Sequence, residues 1–417
     1  ALSNLTSSPN RRSHDKLLAV DARFDEAGYL ITGGRNISLD YYAVTAEGEA
    51  DLKAYQDMEI MLRPGERESD YSIGDISSGY FTLLFNFRGN RLLSNRIRNE
   101  QQRQLYYDRQ ARAYGALEVL KQMPIMAPHF AAAEALGESD GWESVRSLLA
   151  HNMANLDNRG VVRNAVDNMA SNPNSILSVL GQISDQVPPE YATHLVSPYL
   201  FLARYEDESG NPLVDEAESI LAYLDAHPES RFELITNSVL TSDNFSAQAI
   251  IDFDTAPRLL LPPDLQAAWL ALKGEEEAQS ELVNSPEWKA AIDHAQIAIY
   301  EAGGLDAKAF GGDTTYGKLH AKYWQAADIG FVGTDNFDYR SRLVNSEMGY
   351  FFQGQALADE LMADFERLKQ GSVQWGTPEW LELRQRTMQL KGTKGMTTRT
   401  QRNVYKTLKA TGLHWLF

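Results

Sequence analysis

"LHAKYWQAADIGFVGTDN", residues 319–336, decides how this chain reads, because "SHDKLLAVDARFDEAGYLITGGRN", residues 13–36, carries the same pattern. Each stretch gives His-x-Lys, then an acidic residue, then Gly-x-x-Asn. The first supplies His14, Lys16, Asp21 and Asn36, and the second His320, Lys322, Asp328 and Asn336. On a strand, side chains at i and i+2 point to one face, so each His shares a surface with its Lys. A turn and a returning strand then bring each Asn beside them. One His-x-Lys is a weak signal, but two copies at opposite ends of a chain, each trailed by Gly-x-x-Asn, are a strong one. The second copy departs in one respect: five residues rather than four separate Lys322 from Asp328, and Ala327 stands where Asp21 stands in the first.

Two imidazoles with two ammonium groups and two amides suit phosphodiester chemistry. One imidazole attacks phosphorus and forms a covalent phosphoryl-histidine. The other protonates the leaving alkoxide and then deprotonates the incoming alcohol or water. Lysines and asparagines hold the non-bridging oxygens. This chemistry calls for no metal and no cofactor. His129, His151, His194, His227, His294 and His414 have no such companions and read as surface or satisfied core histidines.

Composition narrows the choice. The chain has 417 residues, more than one compact domain usually holds. Cysteine is absent, which removes disulfides, thiol nucleophiles and thiolate metal sites. A net charge of −18 argues against a nucleic-acid partner, which needs clustered Lys and Arg. The charge is uneven: residues 371–417 carry eight basic and two acidic side chains. With Trp375, Trp380 and the closing "LHWLF", this basic C-terminal tail reads either as resting on an anionic membrane surface or as packing its aromatics on the body. No apolar run is long enough for a membrane-spanning helix.

Along the chain, residues 14–64 read as strands and turns. Residues 95–123 read as a helix with Ala113, Ala116, Leu117 and Leu120 on one face, and further helix is expected to about residue 180. "DQVPPEY", 185–191, marks a boundary. "THLVSPYLFL" (193–202), "ESILAYLDAH" (218–227) and "SRFELITNSVL" (230–240) read as strand, helix, strand, a parallel βαβ unit. The Pro-punctuated and then acidic run 256–290 reads as an insertion or lid. "AQIAIYEAGG", 295–304, is a further strand, and strands return over 315–353 before closing helices. The domains expected are a first half at 1–187, a second at 188–370 and the basic tail at 371–417.

The doubled motif resembles the signature of the phospholipase D superfamily, and among its members the chain is most similar to bacterial cardiolipin synthases of the C type. "ITGGRNISLDYY" (31–42), "LVSPYLF" (195–201), "ITNSVLTSDNFSAQA" (235–249), "YEAGG" (300–304) and "GTDNFDYRSRLVNSEMG" (333–349) carry that finer likeness. The resemblance implies an α/β fold of two pseudosymmetric halves, each a mixed β-sheet flanked by helices, with the active site at their interface. It makes His14 and His320 the nucleophile and acid/base pair, favouring His14 as nucleophile. Lys16, Lys322, Asn36 and Asn336 become phosphate ligands, and Asp21 the acid of the first motif. Asp57 and Glu347 become carboxylates that orient an imidazole, with Asp328 in support. Ser197, Asn237 and Ser238 are similar in position to residues near the pocket. Relatives carry more chain before the first motif than the thirteen residues here, so the early strands of the first half are expected to be missing. The function implied is cardiolipin synthesis from phosphatidylglycerol and a second phospholipid, at the periphery of the bacterial inner membrane. The alternatives are a phospholipase D-type hydrolase, or an inactive or truncated member.

Overall fold

The computed structural model describes residues 12–24, 27–45, 48–65, 71–88, 90, 97–138, 142–156, 172–206, 212–272 and 276–412. His414 and the closing apolar residues 413–417 lie outside them.

The N-terminal segment forms a three-stranded antiparallel sheet, β1 (Leu17–Val20), β2 (Tyr29–Gly33) and β3 (Glu59–Leu62), in that order. The remaining sheet strands are β4 (Arg146–His151), β5 (Thr193–Val196), β6 (Arg204–Glu206), β7 (Pro212–Asp215), β8 (Phe232–Asn237), β9 (Ile297–Ala302), β10 (Tyr323–Ala326), β11 (Ile329–Gly333), β12 (Met348–Gln353) and β13 (Ser372–Gln374). Eight of these make one mixed sheet in the order β13-β9-β8-β5-β10-β11-β12-β4. The βαβ expectation holds: β5, β8 and β9 are parallel neighbours, and helix Glu216–Ala226 lies between β5 and β8 in the chain. The other pairings in this sheet are antiparallel. The ribbon β6–β7 stands apart.

The central strands β10, β11 and β12 of the large sheet are buried on both faces, so they show near-continuous burial rather than alternation, whereas the edge strand β4 leaves Leu148 half exposed. Leu234 and Ile299 belong to the core on one face, and Ile235 and Ala302 to the core on the other. Helix Gln355–Gln370 brings Leu361, Phe365 and Leu368 to the second core.

Four expectations are corrected. The α/β class stands, but among the described residues the halves do not match: the first forms a sheet of three antiparallel strands and no mixed sheet of its own. Strand β4 precedes residue 187 yet pairs with β12 at the edge of the large sheet. It also occupies a stretch expected to be helical, six residues being enough to complete an edge. Residues 256–290 are not a lid. Leu259, Leu260, Leu261, Leu265, Trp269, Val283 and Trp288 are all buried in the first core.

The basic tail joins that same core. Trp269, Trp288, Trp375 and Trp380 close a ring of four indoles, with neighbouring centroids 5.8, 5.7, 4.7 and 5.6 Å apart. The ring puts residues 256–290 and 371–412 into one apolar unit, so these tail aromatics cannot reach a membrane. Two of the tail's cations are also buried: Arg384 pairs with Asp252, and Arg402 stacks on Phe253 and Trp269. Helix Glu100–Gln122 forms close to where it is expected, yet none of its residues is buried, so the apolar face read from its sequence meets no core. Among the described residues no helix is long and apolar enough to cross a membrane.

Candidate active site

Hairpins β1–β2 and β10–β11 turn the same ends toward one another. Lys16 precedes β1 and Lys322 precedes β10, while Gly33 ends β2 and Gly333 ends β11. Two short parallel bridges join the halves here, Ser13 with Ser346 and Leu319 with Gln56. Each leaves the next residue of one partner, an imidazole, beside the next residue of the other, a carboxylate.

The result is a reciprocal exchange. His14 Nδ1 lies 2.9 Å from both Glu347 oxygens. His320 Nδ1 lies 2.8 Å from Asp57 Oδ2. Each half therefore supplies the carboxylate that orients the other half's imidazole. Backbone bonds lock the register: His14 N donates to Ser346 O at 2.9 Å, and His320 N to Gln56 O at 2.7 Å. Both carboxylates are fully enclosed, while the imidazoles keep 17% and 8% of their side-chain surface. With Nδ1–H given to a carboxylate, each ring presents the Nε2 lone pair outward.

The carboxylates are themselves held. Glu347 accepts from Thr334 Oγ1 at 2.6 Å, Ser341 Oγ at 3.0 Å and Asn345 Nδ2 at 3.0 Å. Asp57 accepts from the Met58 N–H at 2.9 Å. Residue 34 must be glycine for Asp57 to reach His320: a Cβ there would lie 2.1 Å from Asp57 Oδ1 and 2.6 Å from His320 O.

Both lysines lie against their own motifs. Lys16 Nζ donates to His14 O at 2.8 Å. Lys322 is fully buried, donates to His320 O and sits 2.7 Å from His320 Nδ1. Burial, with Lys16 and Lys318 nearby, pulls Lys322 down to about 7 despite Asp57. Burial and then Lys16 and Lys322 bring His14 down to about 3. His320 is lowered further, by burial first and Lys322 next. The site thus holds neutral imidazoles in a positive field, which favours an anion. Burial raises Asp57 to about 6 and pushes Glu347 upward.

Asn36 and Asn336 both reach this region. Asn36 Nδ2 donates to Tyr41 Oη at 2.7 Å, and that hydroxyl lies 3.4 Å from His320 Nε2. Asn336 is buried, and its Oδ1 has no hydrogen-bond partner among the described residues. His14 Nε2 likewise meets no protein partner there, so the reactive nitrogen of His14 is open while that of His320 is covered by Tyr41.

Asp21 and Asp328 lie elsewhere, which corrects their assignment to the site. Asp21 is exposed at the β1–β2 turn with φ +46°, and Ala327 takes φ +52° at the matching turn of β10–β11. Extended chain over seven residues puts Asp21 roughly 20 Å from His14. The motif's acid is a turn residue: Asp tolerates the left-handed conformation better than most, and Phe24 N closes the turn on Asp21 O at 2.8 Å. Asp328 follows its turn and bonds Gln353 Nε2 at 3.0 Å.

Asn237 brackets the backbone before His320, accepting from Leu319 N at 3.0 Å and donating to Leu319 O at 2.9 Å. Ser197 Oγ donates to Asn336 O at 2.6 Å, and Ser238 Oγ to Ala302 O at 2.5 Å. These three brace strand ends. His194 bonds Gln325 and His151 stacks on Tyr80, as core histidines do. Sequence reasoning missed Tyr41, Tyr55, Thr334 and Lys318. Tyr55 stacks on His320 at 6.0 Å, and no short motif in the sequence marks it. Among the described residues no cluster of three or more His, Asp or Glu is placed to hold a metal ion.

No protein-family model matches the chain, and no curated protein does. Among solved structures it is similar to a phosphatidylserine synthase from Haemophilus influenzae Rd KW20, at 10% identity and TM-score 0.34, over 67% of this chain and 49% of that one. This chain therefore spans about half the length of that protein. It is also similar to NucT from Helicobacter pylori (12% identity, TM-score 0.29, 55% and 99% covered) and to Nuc, a phospholipase D family member from Salmonella typhimurium (9%, 0.28, 56% and 99%). Likeness at this level assigns neither activity nor substrate.

Proposed function

We propose that the chain is a phospholipase D-type phosphatidyltransferase, working at a membrane surface and making cardiolipin from phosphatidylglycerol and a second phospholipid. The observation that carries this reading is the reciprocal pairing of His14 with Glu347 and His320 with Asp57. His14 Nε2, open and kept neutral, attacks the phosphorus of phosphatidylglycerol. The P–O bond to the glycerol headgroup breaks as the P–N bond forms. The anionic diester, once bound, offsets the positive field and lets His320 take up a proton, with Asp57 stabilising the imidazolium. His320 gives that proton to the leaving alkoxide, then takes one from the hydroxyl of the acceptor as its oxygen displaces His14. Lys16, Lys322, Asn36 and Asn336 donate to the non-bridging oxygens.

A lipid rather than a nucleic acid is favoured by the net charge of −18 and by an apolar cavity of about 480 Å³. Its wall includes Leu177, Leu195, Phe201, Trp324 and Phe337, the last adjoining Asn336, and its size and lining suit an acyl chain. The test is incubation with phosphatidylglycerol vesicles followed by lipid mass spectrometry, beside His14→Ala and His320→Ala. Cardiolipin from the native protein, absent with both variants, is expected. Phosphatidic acid in its place would make the protein a hydrolase, and no turnover by folded protein would overturn the reading.

A further inference from the structure

A cleft of about 800 Å³ adjoins the catalytic centre on the His320 side. Its lining includes Lys53, Lys308, Lys318 and Lys394, with Asp243 the sole acid among the lining residues. That concentration of positive charge is unexpected in a chain whose net charge is −18. Lys318 is buried, bonded to Asp243 Oδ2 at 2.6 Å, and lies 4.9 Å above the Tyr55 ring. Tyr55 is at once a wall of the cleft and the ring stacked on His320.

A second feature independently favours an anion. Helix Thr393–Thr411 begins in this cleft, with Thr393, Lys394 and Thr397 in its lining. Its cap residue is Gly392, so no side chain accepts from the first-turn N–H groups, and the positive end of a 19-residue helix faces the space. Lys394 is half-buried beside it and is lowered to about 8, by burial first and with a contribution from Lys318.

We infer that this cleft binds the phosphate of the acceptor substrate, so that the acceptor is a phosphate-bearing alcohol whose hydroxyl reaches His320 while its phosphate rests among the lysines. The inference builds on the transferase reading. Lys318 and His320 are two residues apart in extended chain beside the Gln56 bridge, which separates them by roughly 7 Å along one face. That is about the span of a three-carbon bridge between a hydroxyl and a phosphate. Water needs no second anion subsite, so the cleft also provides a reason for transfer to outrun hydrolysis. Lys16 and Lys322 hold the phosphorus that is transferred, and the cleft holds one that is not.

The test compares native protein with Lys308→Ala/Lys394→Ala and with Lys308→Glu, the latter at an exposed position, with folding of each variant checked by Tm. Phosphatidylglycerol vesicles serve as donor, and ethanol, glycerol 3-phosphate and a second phosphatidylglycerol as acceptors. Transfer to ethanol should stay within twofold, while transfer to the phosphate-bearing acceptors should fall at least tenfold. Inorganic phosphate should compete with those acceptors in the native protein only. A fall with phosphatidylglycerol alone assigns the cleft to a lipid headgroup, and a fall with glycerol 3-phosphate as well assigns it to phosphate esters generally. Equal losses for all three acceptors, or no loss, would overturn the inference. Failure of native protein to form phosphatidylethanol would instead overturn the transferase reading beneath it.

Discussion

Asp57→Asn isolates the carboxylate behind His320 at nearly constant volume. At 2.8 Å and an effective dielectric constant of about 20, Asp57 favours the imidazolium by about 6 kcal/mol, or about four decades in any step that passes through it. The amide can also donate to Nδ1, moving the ring proton to Nε2 and removing the lone pair that must accept from the incoming alcohol. Single-turnover kinetics at pH 7, above the Asp57 value of about 6 and before Lys322 is largely neutral, should show release of glycerol from phosphatidylglycerol falling about 10⁴-fold. A p-nitrophenyl phosphodiester leaves without protonation, so its first step should fall far less, whereas Glu347→Gln should slow both substrates. A loss below tenfold with phosphatidylglycerol would refute the role given to Asp57. Equal losses on both substrates would make His320 the nucleophile.

Gly34→Ala forces a Cβ into the Asp57 carboxylate, and a displacement of this kind should lower kcat about 100-fold with a much smaller change in Tm. Tyr41→Phe removes the hydroxyl between Asn36 and His320 Nε2 and should lower kcat by about 2- to 10-fold, the worth of one neutral hydrogen bond. The pH profile should carry an acid limb near 6 that belongs to Asp57 taking up its proton, and Asp57→Asn should abolish it, because His14 itself stays neutral down to about 3. It should also fall with rising pH above about 7 as Lys322 loses its proton, and Lys322→Arg, always charged, should move that limb upward. Trp380→Ala opens the indole ring and strands the partner of its Nε1–H, Glu301, so urea unfolding should register a loss of about 3–5 kcal/mol.

The proposed acceptor cleft and the two imidazoles would divide the chemistry in a way that bears on specificity. In the transfer proposed above, the first phosphate meets the buried Lys322 and the partly buried Lys16, which act on charge as it shifts during reaction. In the same proposal the second meets the cleft, whose Lys53 and Lys308 are exposed, placed to select the acceptor without touching the reacting phosphorus. Separate subsites of this kind let acceptor preference change by surface substitution while the reacting centre stays intact.

The residue types of the site were legible from the sequence because chemistry fixes them locally: His-x-Lys and Gly-x-x-Asn are short, and a strand and a hairpin suffice to make each one cohere. The parallel βαβ unit was legible too, since apolar runs and turns are short-range signals. Which carboxylate serves which imidazole was not. Glu347 reaches His14 across 333 residues and Asp57 reaches His320 across 263, through bridges that no local pattern announces. Spacing also misled at Asp21, where the motif's third residue serves a turn and not the reaction. The prolines and acids of residues 256–290 and the cations of the tail advertise solvent, yet both segments are held by indoles that meet only when the chain has folded. Local sequence determined which groups the site contains. Tertiary packing decided which of them touch, because burial and register are properties of the whole sheet and not of any stretch within it.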